Sequence, residues 1–156
     1  MIKINVVEED QTEHLWAMDL ENNRAKVLNI PFLSRTVAYH DIVEYCPEHG
    51  TVMAVVEPSG LATAAAAYQG EKEEFKKLRE ALLPKGVMLE GMIVGLCSVA
   101  YPKSMSKTEL EDLFEENGAM LISDEEVKMG IRHQGNTKGC SCCGKNLGKK
   151  EVDGEE

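Results

Sequence analysis

Apolar and polar residues alternate with a period of two through most of the first sixty positions, the signature of half-buried strands. Ile2, Ile4 and Val6 share one face of residues 2–7, and Trp16, Met18 and Leu20 share one face of residues 14–20. Glu8, Glu9 and Asp10 break the first run. Glu21-Asn22-Asn23-Arg24 reads as a hairpin turn, because Asn tolerates positive φ. Residues 25–30, 40–46 and 51–56 continue as strands, separated by turns at Pro47-Glu48-His49-Gly50 and Glu57-Pro58-Ser59-Gly60. Five short strands with tight turns predict a small antiparallel β unit, a sheet or half-barrel, over residues 1–60.

The period changes after Gly60. Residues 61–68, LATAAAAY, are rich in alanine, which favours helix. The preceding Pro-Ser-Gly turn, the short length and the following Gly70 argue for a strand packed closely under a helix. Residues 71–83 form a helix with an acidic first turn, which suits the macrodipole. Phe75, Leu78 and Leu82 lie on one face of it, and Pro84-Lys85-Gly86 ends it. Residues 87–89 and 94–101 are strands, with Glu90-Gly91 between them. Ser106 and Glu109 make a capping box for a helix that turns Leu110, Leu113 and Phe114 inward, and Gly118 stops it. A short strand follows at 119–122. The order from residue 61 is β-α-β-β-α-β, that of a ferredoxin-like unit. The expected fold class is α+β, with a ferredoxin-like unit at 61–130 sharing one core with the β unit at 1–60. Residues 131–156 carry no apolar periodicity and read as a disordered, Cys-rich tail.

The stretch 27–43, VLNIPFLSRTVAYHDIV, has more residue-specific content than a plain connection needs. Pro31 fixes φ and lacks an N–H, so the strand before it ends there, and Asn29 is held near an extended conformation. Arg35 is the only basic residue between Lys26 and Lys72 and can anchor a carboxylate or phosphate. A salt bridge to Asp41 or Glu44 is the plainer use of it. Asp41 suits capping of a turn through nearby N–H groups. Adjacent His40 and Asp41 point to opposite faces of a strand and do not pair there.

These residues carry a resemblance. NIPF at 29–32, VAYHDIV at 37–43, then Ser59-Gly60 and Thr63 resemble an uncharacterised bacterial family, domain of unknown function 4265. The resemblance runs over about residues 14–125 and is most specific between 27 and 63. His40 stands where the family pattern has Gly, and the Cys-rich tail is outside the pattern. The family implies this fold and supplies no chemistry. Together with the local reading it makes Asn29, Phe32, Arg35, Asp41 and Ser59 the candidate binding residues.

Charge narrows the partners. Residues 1–127 hold 11 Lys/Arg against 23 Asp/Glu, a net of −12, while 128–150 hold six Lys/Arg and no acid. An acidic body repels nucleic acid and anionic membrane and attracts a basic protein. Five Cys is an odd number with three near the end, which is no disulfide framework and places the chain in a reducing, cytoplasmic setting. No run of apolar residues is long enough for a membrane span, and the start lacks a secretory pattern. Apolar content of 43% with aromatics at 5% implies an aliphatic core.

No nucleophile elbow, Walker loop, dinucleotide fingerprint or HExxH is present, so the expectation leans away from an enzyme. Cys140, Cys142 and Cys143 lie among lysines, which favour thiolate, and His133 offers a fourth ligand, so zinc is the candidate cofactor. Adjacent Cys142 and Cys143 fit one tetrahedral ion poorly. Metal binding, thiol redox chemistry and a chemically neutral tail stay open. The leading expectation is a non-enzymatic cytosolic binding protein, an acidic immunity-type or inhibitory partner of a basic protein. A metal- or thiol-handling protein acting through the tail, and a small-molecule enzyme using the 29–43 loop, are the alternatives.

Overall fold

Each period-two stretch pairs with its sequence neighbour, and this builds the first of two antiparallel sheets. The structure, a computed structural model, describes residues 1–9 and 11–131. β1 (Ile2–Glu8), β2 (Gln11–Asp19), β3 (Arg24–Val27), β4 (Ile42–Tyr45) and β5 (Val52–Glu57) stand in chain order. Asn22 and Asn23 take φ of 61° and 59° in the loop between β2 and β3, the left-handed conformation that Asn tolerates, and Leu20 N–H donates to Arg24 O at 2.7 Å across its base. Asn5 N–H donates to Gly50 O at 2.8 Å, and Asn5 bridges Thr51, so the first and last strands of the sheet curl toward each other. Ile4, Val6, Leu15, Val27, Val43 and Val52 fill the interior. The β2 face carrying Trp16, Met18 and Leu20 is the outer one: Trp16 is 45% and Met18 48% exposed, while Leu15 and Ala17 are buried. β3 stops at Val27 instead of reaching Ile30, because Asn29 and Ile30 find other partners.

The second sheet contains β6 (Leu61–Tyr68), β7 (Met88–Ile93), β8 (Leu96–Pro102) and β9 (Ala119–Ile122), in the spatial order β7-β8-β6-β9 and antiparallel throughout. The alanine run is a strand. Ala64 and Ala66 have no bulk, so α1 (Lys72–Leu82) and α2 (Lys107–Glu116) press Leu78, Leu82, Leu110 and Phe114 close against it. Both helices open with capping boxes, Glu71 with Glu74 and Ser106 with Glu109. The β7–β8 hairpin turns later than expected, at Val94-Gly95, where Gly95 has a φ of 94°. Glu90 therefore lies inside β7.

A third helix, α3 (Asp124–Ile131), occupies a stretch for which the sequence pattern predicts no element. Ser123 and Glu126 form its capping box: Glu126 N–H donates to Ser123 Oγ at 3.1 Å and Ser123 N–H to Glu126 Oε1 at 3.0 Å. Val127 is buried with Phe32 and Ala65, joining the helix, the loop after β3 and the second sheet. No helix among the described residues is long and apolar enough to cross a membrane. The tail expected at 131–156 lies, beyond Ile131, outside the described residues.

Candidate functional site

The segment between β3 and β4 has almost no regular structure, so its backbone N–H groups need partners from elsewhere. Carboxylates supply them. Glu90 Oε1 accepts Ile30 N–H at 2.6 Å and Glu90 Oε2 accepts Asn29 Nδ2 at 2.8 Å. Asn29 Oδ1 accepts Trp16 N–H at 2.7 Å. Glu13 accepts the N–H groups of Phe32, Leu33 and Ser34 at 2.6, 3.0 and 2.9 Å. Burial holds the Glu13 carboxyl above its ordinary pKa, and those three N–H groups and the Arg35 charge oppose the rise. Ser34 Oγ donates to Glu8 at 2.6 Å and accepts from Thr36 and Val37 N–H, both at 3.2 Å. Asp41 is buried and caps in two directions, accepting Ala38 N–H and Ser59 N–H at 2.8 Å each.

The loop so held forms one wall of a cleft of about 250 Å³. Arg35, Thr36, Ala38 and Asp41 line it from the loop, Leu61 to Ala64 from β6, and Leu121, Ile122 and Asp124 from the far side. Tyr101, Lys103 and Lys107 complete it. The volume lies below the range of about 300–1,000 Å³ typical of sites for drug-sized ligands, so the cleft suits a small group rather than a dinucleotide.

Arg35 pairs with Asp124, Nε to Oδ1 at 2.9 Å, and not with Asp41 or Glu44. Asp41 is occupied by backbone N–H groups, and Asp124 sits at the start of the unexpected helix. Arg35 Nη1 donates to Phe32 O and Ser34 O, both at 2.9 Å. Nη2 is buried and has no hydrogen-bond partner among the described residues. Lys103 and Lys107 are exposed. Three cations thus converge on the cleft in a body of net −12, while both acids in its lining are engaged.

Of the five candidate binding residues, Arg35 and Asp41 line the cleft. Asn29 and Phe32 serve the loop and the junction instead, with Phe32 buried beside Val127. Ser59 donates its N–H to Asp41 and accepts Leu61 N–H through Oγ at 3.2 Å. Sequence reasoning missed Lys103 and Lys107, and Thr63 enters it only through the family resemblance. The two lysines are the only basic residues between Lys85 and Lys128, which is a readable signal in an acidic chain. His40 has a φ of 70° and stacks on Tyr39 with ring centroids 3.9 Å apart. Burial lowers its pKa, and Lys26 adds to that.

His133, Cys140, Cys142 and Cys143 lie outside the described residues. Among the described residues no group of three His, Cys, Asp or Glu is placed to hold a metal ion. Cys97 is buried in the second core, and burial pushes its thiol up to about 12, which makes it inert.

Among solved structures the chain is similar to one titled as a novel crystal structure of a hypothetical protein from Neisseria gonorrhoeae. The two are 19% identical, with a TM-score of 0.59 over 77% of this chain and 91% of that one. At that identity the likeness concerns the fold alone. No curated protein matches the chain. A family model described as a domain of unknown function, DUF4265, matches residues 13–123. That span takes in most of β2, the strands β3 to β5, the carboxylate-held loop, all the cleft-lining residues but Asp124, and most of the second sheet's unit, and the chain belongs to the DUF4265 family.

Proposed function

We propose that this is a non-enzymatic cytosolic binding protein whose ligand site is the cleft beside Arg35, and that the group bound there is an anion, a carboxylate or a phosphate. The observation that carries the reading is the convergence of Arg35, Lys103 and Lys107 on one cleft whose two acids are already engaged. Lys103 and Lys107 add charge at the same place. The acids of the lining are held by Arg35 and by backbone N–H groups, so neither is offered as a general base.

The C-terminal unit is read as ferredoxin-like, and its support is the β-α-β-β-α-β order with strands arranged β7-β8-β6-β9. That the two β units act as one body is supported by the junction of Phe32, Ala65 and Val127. A second reading, an acidic partner of a basic protein, draws on the exposed Glu111, Asp112, Glu115 and Glu116 of α2.

The test is titration of isotope-labelled protein with acetate, inorganic phosphate and ammonium as separate probes. Either anion should move the amide signals of Arg35, Thr36, Thr63 and Lys107, and ammonium should leave them still. Equal response to ammonium, or no response to either anion, overturns the reading.

A further inference from the structure

β6 has β8 along its whole length, from Leu61↔Pro102 to Ala67↔Leu96, but β9 along only half of it, from Ala65↔Ile122 to Tyr68↔Ala119. Residues 61–64 therefore have a strand on one side and none on the other. In an antiparallel ladder successive residues direct their N–H and C=O groups to alternate sides. Lys103 N–H donates to Gly60 O and Tyr68 N–H to Gly95 O, both at 3.0 Å, so the even-numbered residues of β6 bond toward β8. The odd-numbered residues face the β9 side. Leu61 N–H is taken by Ser59 Oγ at 3.2 Å. Thr63 turns its N–H and C=O to where β9 has stopped, while its side chain donates to Ser34 O at 3.2 Å. Thr63 lines the cleft, so a short open β edge and three cations share one small space.

We propose that the cleft takes the C-terminal end of an extended peptide, its last residues pairing with Thr63 in the position β9 leaves empty and its terminal carboxylate meeting Arg35, Lys103 and Lys107. This rests on the anion-binding reading of the same cleft. Strand addition at an open edge gives affinity through main-chain bonds, and a basic pocket selects the chain end. A space of about 250 Å³ holds the end of a chain rather than a strand running through. A free carboxylate matches the charge of the lining, and an amidated end does not.

The test uses a synthetic acetylated tetrapeptide, Ala-Val-Ala-Val with a free carboxylate, and the full-length protein. Before addition, Thr63 N–H should exchange with solvent faster than Ala65 N–H. Binding should slow it and shift its signal. The C-terminal amide of the same peptide should bind about tenfold or more weakly. Methylation of the last or of the penultimate peptide nitrogen should differ, one weakening binding about tenfold and the other little, because only one of two successive N–H groups faces Thr63. Equal binding of acid and amide, or equal effects of the two methylations, overturns the proposal. So does concentration-dependent self-association that Lys107→Gln abolishes, which would make a second copy the occupant. If acetate and phosphate still act on the cleft in those cases, the anion site stands without the strand. If no anion acts, both readings fall.

Discussion

Glu90 Oε1 accepts the N–H of Ile30 at 2.6 Å, so a residue in the second sheet fixes the chain where it leaves the first. Pro31 follows and has no N–H of its own, which makes the Ile30 bond the last backbone anchor before the turn. The same carboxylate takes Asn29 Nδ2. Glu90→Ala leaves both donors without their acceptor and is expected to lower stability by about 1–3 kcal/mol in urea unfolding. Glu90→Gln keeps an acceptor oxygen and should cost less. Equal midpoints for wild type and Glu90→Ala would show that this bond does not hold the loop.

Asp41 joins Ala38 to Ser59 from a buried position. Asp41→Ala strands two N–H groups and is expected to cost about 2–4 kcal/mol, with Asp41→Asn losing less. Denaturation midpoints of the three proteins check the order.

Glu13 gives a pH dependence whose sign follows from its environment. Its folded-state pKa is raised by burial, so the folded protein takes up the proton more readily than the unfolded chain. The stability it contributes is present at acid pH and is lost as pH rises from the ordinary 4.5 through the raised value. Wild type should therefore lose stability relative to Glu13→Gln as pH rises through that window. Unfolding midpoints across the window, for both proteins, measure the slope. A gap that widens in favour of wild type would reverse the assignment.

Phe114 is fully buried between α2 and the second sheet. Phe114→Ala should destabilise by about 3–5 kcal/mol, read from chemical denaturation. An unchanged midpoint would remove this side chain from the core.

Local signals made much of the fold readable. Asn22-Asn23 marked its hairpin, Ser106 and Glu109 marked α2, and the flanks of 61–68 outweighed the helix preference of alanine. The misreadings share a cause in non-local partners. Glu90 and Glu13 act on residues far along the chain, and nothing beside them in sequence marks an acceptor for backbone N–H groups. Arg35 passes over the nearby acids because its partner, Asp124, begins a helix that the sequence pattern does not predict. That helix had a readable Ser123–Glu126 capping box, but it is short and its apolar face is slight. The shared face of Trp16 and Met18 is the outer one of β2, since an aromatic beneath a lysine side chain can remain at the surface. The cleft itself forms only when three distant segments meet.

The central claim is that cations in this cleft hold an anionic group, and exposed Lys103 and Lys107 allow it to be tested without disturbing the fold. The measurement is the thermal unfolding midpoint against acetate concentration at constant ionic strength, for wild type and the Lys103→Gln/Lys107→Gln double variant. A ligand bound only by the folded state stabilises by about 2.7 kcal/mol at a hundredfold excess over its Kd. Wild type should gain stability with a saturating dependence, and the double variant should gain much less from the same starting midpoint. Identical gains in the two proteins, or none in either, would contradict an anion site at Arg35.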